Sequence, residues 1–200
     1  MSAKDRILAS AKIFFARKGY ETTSVREIAK DAKVNIAAIN YHYGSKEGLF
    51  NTICREFAEN KLSFAYGVLK PVQTSEELYL RLEIFFNAML SLADDDFDTV
   101  FILLKNLDFF AENSPDEFLR IFMTPHQKLL DFFIDCQKKK LLREDLDPEI
   151  IAHIFISGST EILRSNKIRK NFLGYDILKS EEKIRFIDTY LKCFIEGIRS

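Results

Sequence analysis

The segment TTSVREIAKDAKVNIAAINYHYGSKEGLF, Thr22 to Phe50, decides how this chain folds. Ser24 and Glu27 stand at the spacing of a capping box, in which a hydroxyl and a carboxylate satisfy free N–H groups at a helix start. Ile28, Ala29 and Ala32 then share one face of a short helix. Val34 lies in a tight connection, and Ile36 and Ile39 belong to a second short helix that Asn35 can cap. Ala29 is small where two helices must cross closely, and Val34 and Ile39 plug the angle between them. Two short helices joined this way form a helix-turn-helix, whose second helix enters the major groove of DNA.

Helical spacing continues on both sides of this segment, and no persuasive strand alternation appears. Ile7, Leu8, Ala11, Phe14 and Phe15 make one apolar face, ended by Arg17-Lys18 and Gly19. Ser114-Pro115, Thr124-Pro125 and Asp147-Pro148 each set a capping side chain before a proline, marking three helix starts. The spacing predicts helices over 3–18, 25–32, 36–43, 46–69, 75–92, 97–112, 115–123, 125–141, 148–166 and 181–198. Asp94-Asp95-Asp96 is expected to be a loop and helix start. The fold class is therefore all-α: a three-helix helix-turn-helix domain over residues 1–46 and a larger helical domain over 47–200.

Charge separates the same two parts. The net charge is -1, yet residues 1–50 hold nine Lys/Arg against five Asp/Glu, leaving the remainder acidic. A basic end on an acidic chain suits a polyanion partner for that end alone. Three cysteines, Cys54, Cys136 and Cys193, are far apart and lack metal-ligand spacing, which fits reduced thiols. His42, His126 and His153 form no ligand cluster, and no Ser-His-Asp grouping or phosphate loop is visible. Neither an enzyme nor a cofactor or metal is expected. No run approaches the roughly 18 apolar residues of a membrane span, so a cytoplasmic, nucleoid-associated protein is expected.

The second helix of the motif directs Ala37, Ala38, Asn40, Tyr41 and His42 outward and Ile36 and Ile39 inward. Small residues admit a close backbone approach and can pack on a thymine methyl, and Asn40 can pair with a base edge. Tyr41 and His42 can donate to phosphates. Lys46 adds a charge and a helix N-terminus for a phosphate. Thr22, Thr23 and Ser24 offer hydroxyls, and Lys33 adds positive charge nearby.

Thr22–Phe50 resembles the signature of TetR-type transcriptional regulators. It matches at Thr22, Thr23, Ile28, Ala29, Ala32, Val34, Tyr41, Ser45, Lys46 and Glu47. It departs at Lys33, where the family has a turn glycine, at Asn35, usually serine or threonine, and at Tyr43, usually a buried phenylalanine. The resemblance implies that Tyr43 is an inward anchor. It also implies a homodimer on a palindromic double-stranded DNA operator, and a small-molecule inducer.

The last two helices carry broad apolar stripes, which favour a two-fold four-helix bundle between subunits, through Ile154, Phe155, Gly158, Ile162, Tyr190 and Phe194. Where the family encloses an inducer, this chain is rich in phenylalanine. Phe86, Asn106, Phe110, His126 and Phe133 are the candidate ligand contacts, each of which taken singly reads equally well as core. The function so implied is a repressor released by a hydrophobic or aromatic ligand. The alternative is a nucleoid-associated or division-control DNA-binding protein on the same fold with no inducer.

Overall fold

A computed structural model describes residues 1–59 and 63–199, with the side chains of 64, 93–98, 124, 125 and 167 excepted. Among the described residues the regular elements are helices: α1 (Ala3–Lys18), α2 (Val25–Asp31), α3 (Ile36–Tyr43), α4 (Lys46–Phe57), α5 (Ser63–Gly67), α6 (Ser75–Lys105), α7 (Leu107–Asn113), α8 (Pro115–Phe118), α9 (Thr124–Lys138), α10 (Pro148–Leu173) and α11 (Ser180–Ile198). A π-helical turn, Leu119–Met123, joins α8 to α9. A lone antiparallel bridge pairs Leu142 with Arg199. Residues 60–62 of the helix expected over 46–69 lie outside the described residues.

The chain groups into two compact units, Met1–Asn60 with Asp96–Ile121, and Lys61–Asp95 with Phe122–Ser200. In the first, α1 begins on a reciprocal Ser2–Asp5 capping box (2.9 and 3.1 Å) and stops at Gly19, whose φ of 91° suits glycine. Side chains of α1 then satisfy carbonyls at the end of α2. Arg6 Nε donates to the Ala32 carbonyl at 3.0 Å, and Ser10 Oγ to that of Ile28 at 3.3 Å. Ile7, Phe15, Ile28, Ile39, Leu49 and Ile53 are fully buried between these helices. Tyr20 and Phe50 extend this core to α7, with Tyr20 and Phe109 centroids 4.4 Å apart and Phe50 and Phe110 5.5 Å apart. Asn51 Nδ2 donates to Ser114 Oγ at 2.9 Å.

In the second unit the core is aromatic. Phe155 is fully buried and touches Phe85, Phe86, Phe133 and Phe194, with centroids 4.9–6.0 Å apart. The loop after α10 is pinned by the buried Asn166, whose amide donates to Asp176 at 3.0 Å and accepts from the Ile177 N–H at 2.9 Å.

Three expectations are corrected. The acidic step at 94–96 is neither loop nor helix start, because α6 runs through it from Ser75 to Lys105 without a glycine or proline to break it. The helix after Pro148 continues beyond 166 to Leu173, where Gly174 adopts the left-handed conformation at φ 65°. Of the three residues expected to cap before proline, Asp147 does so, accepting from the Glu149 N–H at 2.8 Å. Ser114 makes no cap and instead bonds Asn51, and α9 already includes Thr124.

The corner between α3 and α4 depends on one glycine. A Cβ at Gly48 would sit 2.0 Å from the Tyr43 carbonyl oxygen, which is backbone and cannot turn aside. Gly48→Ala should therefore destabilise the first unit by about 2–3 kcal/mol, read as a lowered thermal midpoint. Gly67→Ala, with nothing within 4 Å of the added methyl, should leave it unchanged or slightly raised.

Candidate nucleic-acid interface

The turn between α2 and α3 is built from backbone hydrogen bonds. The Val34 N–H donates to the Ala29 carbonyl at 3.0 Å and the Lys33 N–H to that of Lys30 at 3.3 Å. Together they form a Schellman motif around Lys33, which has φ 54°. A side chain in this conformation costs roughly 1–2 kcal/mol relative to glycine, yet it places an exposed lysine just before the start of α3. Asn35 Oδ1 then accepts the Ala38 N–H at 2.8 Å, confirming its capping geometry. Gly44, with φ 76°, ends α3, and its N–H donates to the Asn40 carbonyl at 2.9 Å.

The opposite end of α3 is held by its last residue. Tyr43 is half-buried, and its hydroxyl donates to the Lys4 carbonyl at 2.9 Å, tying α3 to the start of α1. Burial raises its phenol to about 12. Ile39 is fully buried. The outer surface of the helix presents Ala37, Asn40, Tyr41 and His42, all exposed, with Ala38 half-buried. Tyr41 is 85% exposed, and its ring meets that of His42 edge-on at 5.0 Å. No packing role accounts for an aromatic so far out of the core.

Two members of the candidate set, and Ile36 beside them, stand differently from expectation. Thr23 is buried, and its hydroxyl lies 2.7 Å from the Gly19 carbonyl and 3.3 Å from that of Phe14, which removes it from the surface. Lys46 does not extend outward. Its ammonium donates to the carbonyls of Tyr20 (3.0 Å), Thr23 (3.2 Å) and Glu21 (3.4 Å), and lies 4.3 Å from the Tyr20 ring centre. It closes the α1–α2 loop onto α4, so a phosphate contact would have to release four partners. Ile36, expected inward, is 40% exposed beside Ala37.

The exposed Thr22 and Ser24 flank the start of α2. The Thr22 hydroxyl donates to the Lys18 carbonyl at 2.5 Å, and that of Ser24 to Glu27 at 2.9 Å, while Ser24 Oγ accepts the Glu27 N–H at 3.2 Å. Glu27 also pairs with Lys18. That pairing, reinforced by the Ser24 bonds, holds its carboxyl down to about 2.

The candidate dimer and ligand residues serve largely within the chain. A Cβ at Gly158 would meet the Tyr190 hydroxyl oxygen at 2.3 Å, so its missing side chain makes room for this chain's own tyrosine. The Tyr190 hydroxyl lies 3.2 Å from the Phe155 carbonyl. Phe155 and Ile162 are buried, Phe194 is half-buried, and Ile154 is 54% exposed. Phe86, Phe133 and Phe110 are buried and packed ring against ring. Asn106, between α6 and α7, donates from Nδ2 to the Ile102 carbonyl of α6 at 2.7 Å, and His126 is half-buried. Phe110 and Asn106 belong to the first unit, and Phe86, His126 and Phe133 to the second. An apolar groove of about 500 Å³ between α10 and α11 is lined by Ile150, Ile154, Tyr190, Cys193 and Phe194 among others, and by none of these five.

Lys46→Ala should lower the stability of the first unit by about 1–2 kcal/mol, because three carbonyls lose a charged donor at once. Thermal unfolding of the wild type and the variant reads this directly.

Comparison with known proteins agrees with this geometry. The family model described as bacterial regulatory proteins, tetR family, matches residues 7–53. A probable HTH-type transcriptional regulator, YttP of Bacillus subtilis (strain 168), is 39% identical over 92 residues, covering 44% of this chain and 43% of the relative. The chain thus matches less than half of that relative's length. The HTH-type transcriptional repressor DhaR of Mycobacterium sp. (strain GP1) is 25% identical over 160 residues, covering 78% of each. Among solved structures, the ketosteroid transcriptional regulator KstR2 of Mycobacterium tuberculosis superposes with a TM-score of 0.77 over 100% of this chain and 96% of that one, at 18% identity. Residues 7–53 thus match the helix-turn-helix of the tetR family of bacterial regulatory proteins, and the chain as a whole shares its fold with a solved regulator.

Proposed function

We propose that this chain is a repressor that binds a palindromic operator as a homodimer, with residues 1–46 as the reading head and 47–200 as the sensing and pairing part. The observation that carries the reading is the outer surface of α3: Ala37, Asn40, Tyr41 and His42 stand exposed on a helix seated by Ile39, Tyr43 and two tight turns. Lys33, Thr22 and Ser24 are the accompanying backbone contacts, and Asn40 the hydrogen-bonding base reader. Such a protein works at the nucleoid.

Pairing is supported by an exposed stripe along α10. Ile150, Ile154, Ser157, Glu161, Arg164, Ile168 and Phe172 are all exposed and recur at alternating steps of three and four, with a final step of four. This is the spacing of a helix–helix seam. Ile150, Ile154, Ile168 and Phe172 are 54–82% exposed, an apolar surface that a second copy would cover. A second copy lying antiparallel about a two-fold axis at Glu161 would set Ile150 against Phe172 and Ile154 against Ile168. Glu161 and Arg164 pair within each copy at 2.7 Å, which keeps the centre neutral. This seam keeps Ile154 of the set read from the sequence and adds the exposed positions of α10 on either side of it.

The inducer belongs to the proposal in one form. Because Phe86 and Phe133 close around Phe155, a molecule entering there must displace aromatic packing. That suits an apolar or aromatic compound. A DNA-binding protein with no inducer is the reading favoured if no such compound releases the DNA.

Selection of bound sequences from random duplex DNA should yield two inverted half-sites. With that operator, Lys33→Ala should reduce the salt dependence of log K by about 0.9 per half-site, the amount of one lost phosphate contact. Lys46→Ala should leave the slope unchanged. Ile168→Glu in the full chain should shift sedimentation at micromolar concentration from dimer to monomer while helicity is retained. A variant that remains wholly dimeric would remove the α10 seam from the proposal.

A further inference from the structure

Ile36 opens the first turn of α3 and is 40% exposed, while Ile39, one turn on, is fully buried. The rest of that turn is alanine, Ala37 and Ala38. Asn35, just before it, commits its side-chain oxygen to the Ala38 N–H at 2.8 Å. The first-turn side chains Ile36, Ala37 and Ala38 therefore offer no hydrogen-bond donor or acceptor to a base edge. In a recognition helix it is the N-terminal residues that meet the base edges. Sequence can be read there only by apolar contact, and the one apolar group on the major-groove edges of the four base pairs is the thymine 5-methyl. Of the three side chains, isoleucine alone has reach. Its β-branch also holds χ1 in one strongly preferred rotamer within a helix, so little freedom is lost when it is covered.

We infer that Ile36 is a specificity-determining residue that reads the 5-methyl group of one thymine in each operator half-site. The inference rests on α3 being the reading helix and adds which base it selects in its first turn, and by which atoms. Asn40 reads by hydrogen bonding, whereas Ile36 reads by packing, so the two respond to different changes in the DNA.

The test uses the full-length dimer and the operator obtained by selection. Each thymine of a half-site is replaced in turn by uracil, which removes the methyl group and keeps the pairing and hydrogen-bonding groups. At one position the wild type should lose about three- to fivefold in affinity per half-site, the scale of one uncovered methyl group. Ile36→Ala should bind the thymine operator more weakly and respond equally to thymine and uracil there. Ile36 is on the surface, so the variant should fold as the wild type does, which circular dichroism checks. The inference is overturned if no thymine-to-uracil change affects the wild type, or if the sensitive position is as sensitive in Ile36→Ala. Failure to select any DNA sequence at all would instead overturn the DNA-binding reading, and this inference with it.

Discussion

The seating of α3 rests on a backbone contact in which a side chain has no room. Gly48 lies so close to the Tyr43 carbonyl that a methyl group would overlap it at 2.0 Å. The end of α3 is thereby fixed against the start of α4. Everything that α3 displays follows from that corner: Ile39 goes to the core, the Tyr43 hydroxyl reaches the Lys4 carbonyl, and Ala37, Asn40, Tyr41 and His42 are left outside. The Lys46 ammonium, from the same corner, gathers the carbonyls of Tyr20, Glu21 and Thr23. The α1–α2 loop is thus tied to the start of α4. In the proposed function, a head held at so many points loses little conformational entropy on meeting DNA.

Much of this was legible in the sequence where a short-range rule applies. The capping boxes at Ser2–Asp5 and Ser24–Glu27, the cap at Asn35 and the stops at Gly19 and Gly44 depend on residues within a few positions of one another. Lys33 was visible as a departure from glycine, and its positive φ shows that the turn keeps its shape with a side chain present. The continuity of α6 through three aspartates was not legible. Aspartate favours caps over helix interiors, which is why the step read as a break.

The site was read less well where direction or partner mattered. An eight-residue helix has too few turns to phase its apolar face, so Ile36 read as inward although it is 40% exposed. Thr23 and Thr22 are adjacent hydroxyls with opposite fates, one buried and one exposed. A long, flexible lysine such as Lys46 reaches a phosphate or a carbonyl equally well on paper. Gly158 signalled a close approach correctly but not by what, since a small residue has the same appearance beside its own tyrosine as beside a second chain. Spacing alone also drew Phe155 and Ile162 into a pairing surface, and both are buried within the chain itself.

The central claim is that two copies of α3 lie in successive major grooves on one side of a duplex. Hydroxyl-radical footprinting of the bound operator tests it most directly. Two short protected windows on the same face of the DNA, centred about one helical turn apart or a multiple of that, are the result this account requires. A single window, or protection running continuously around the helix, would contradict it.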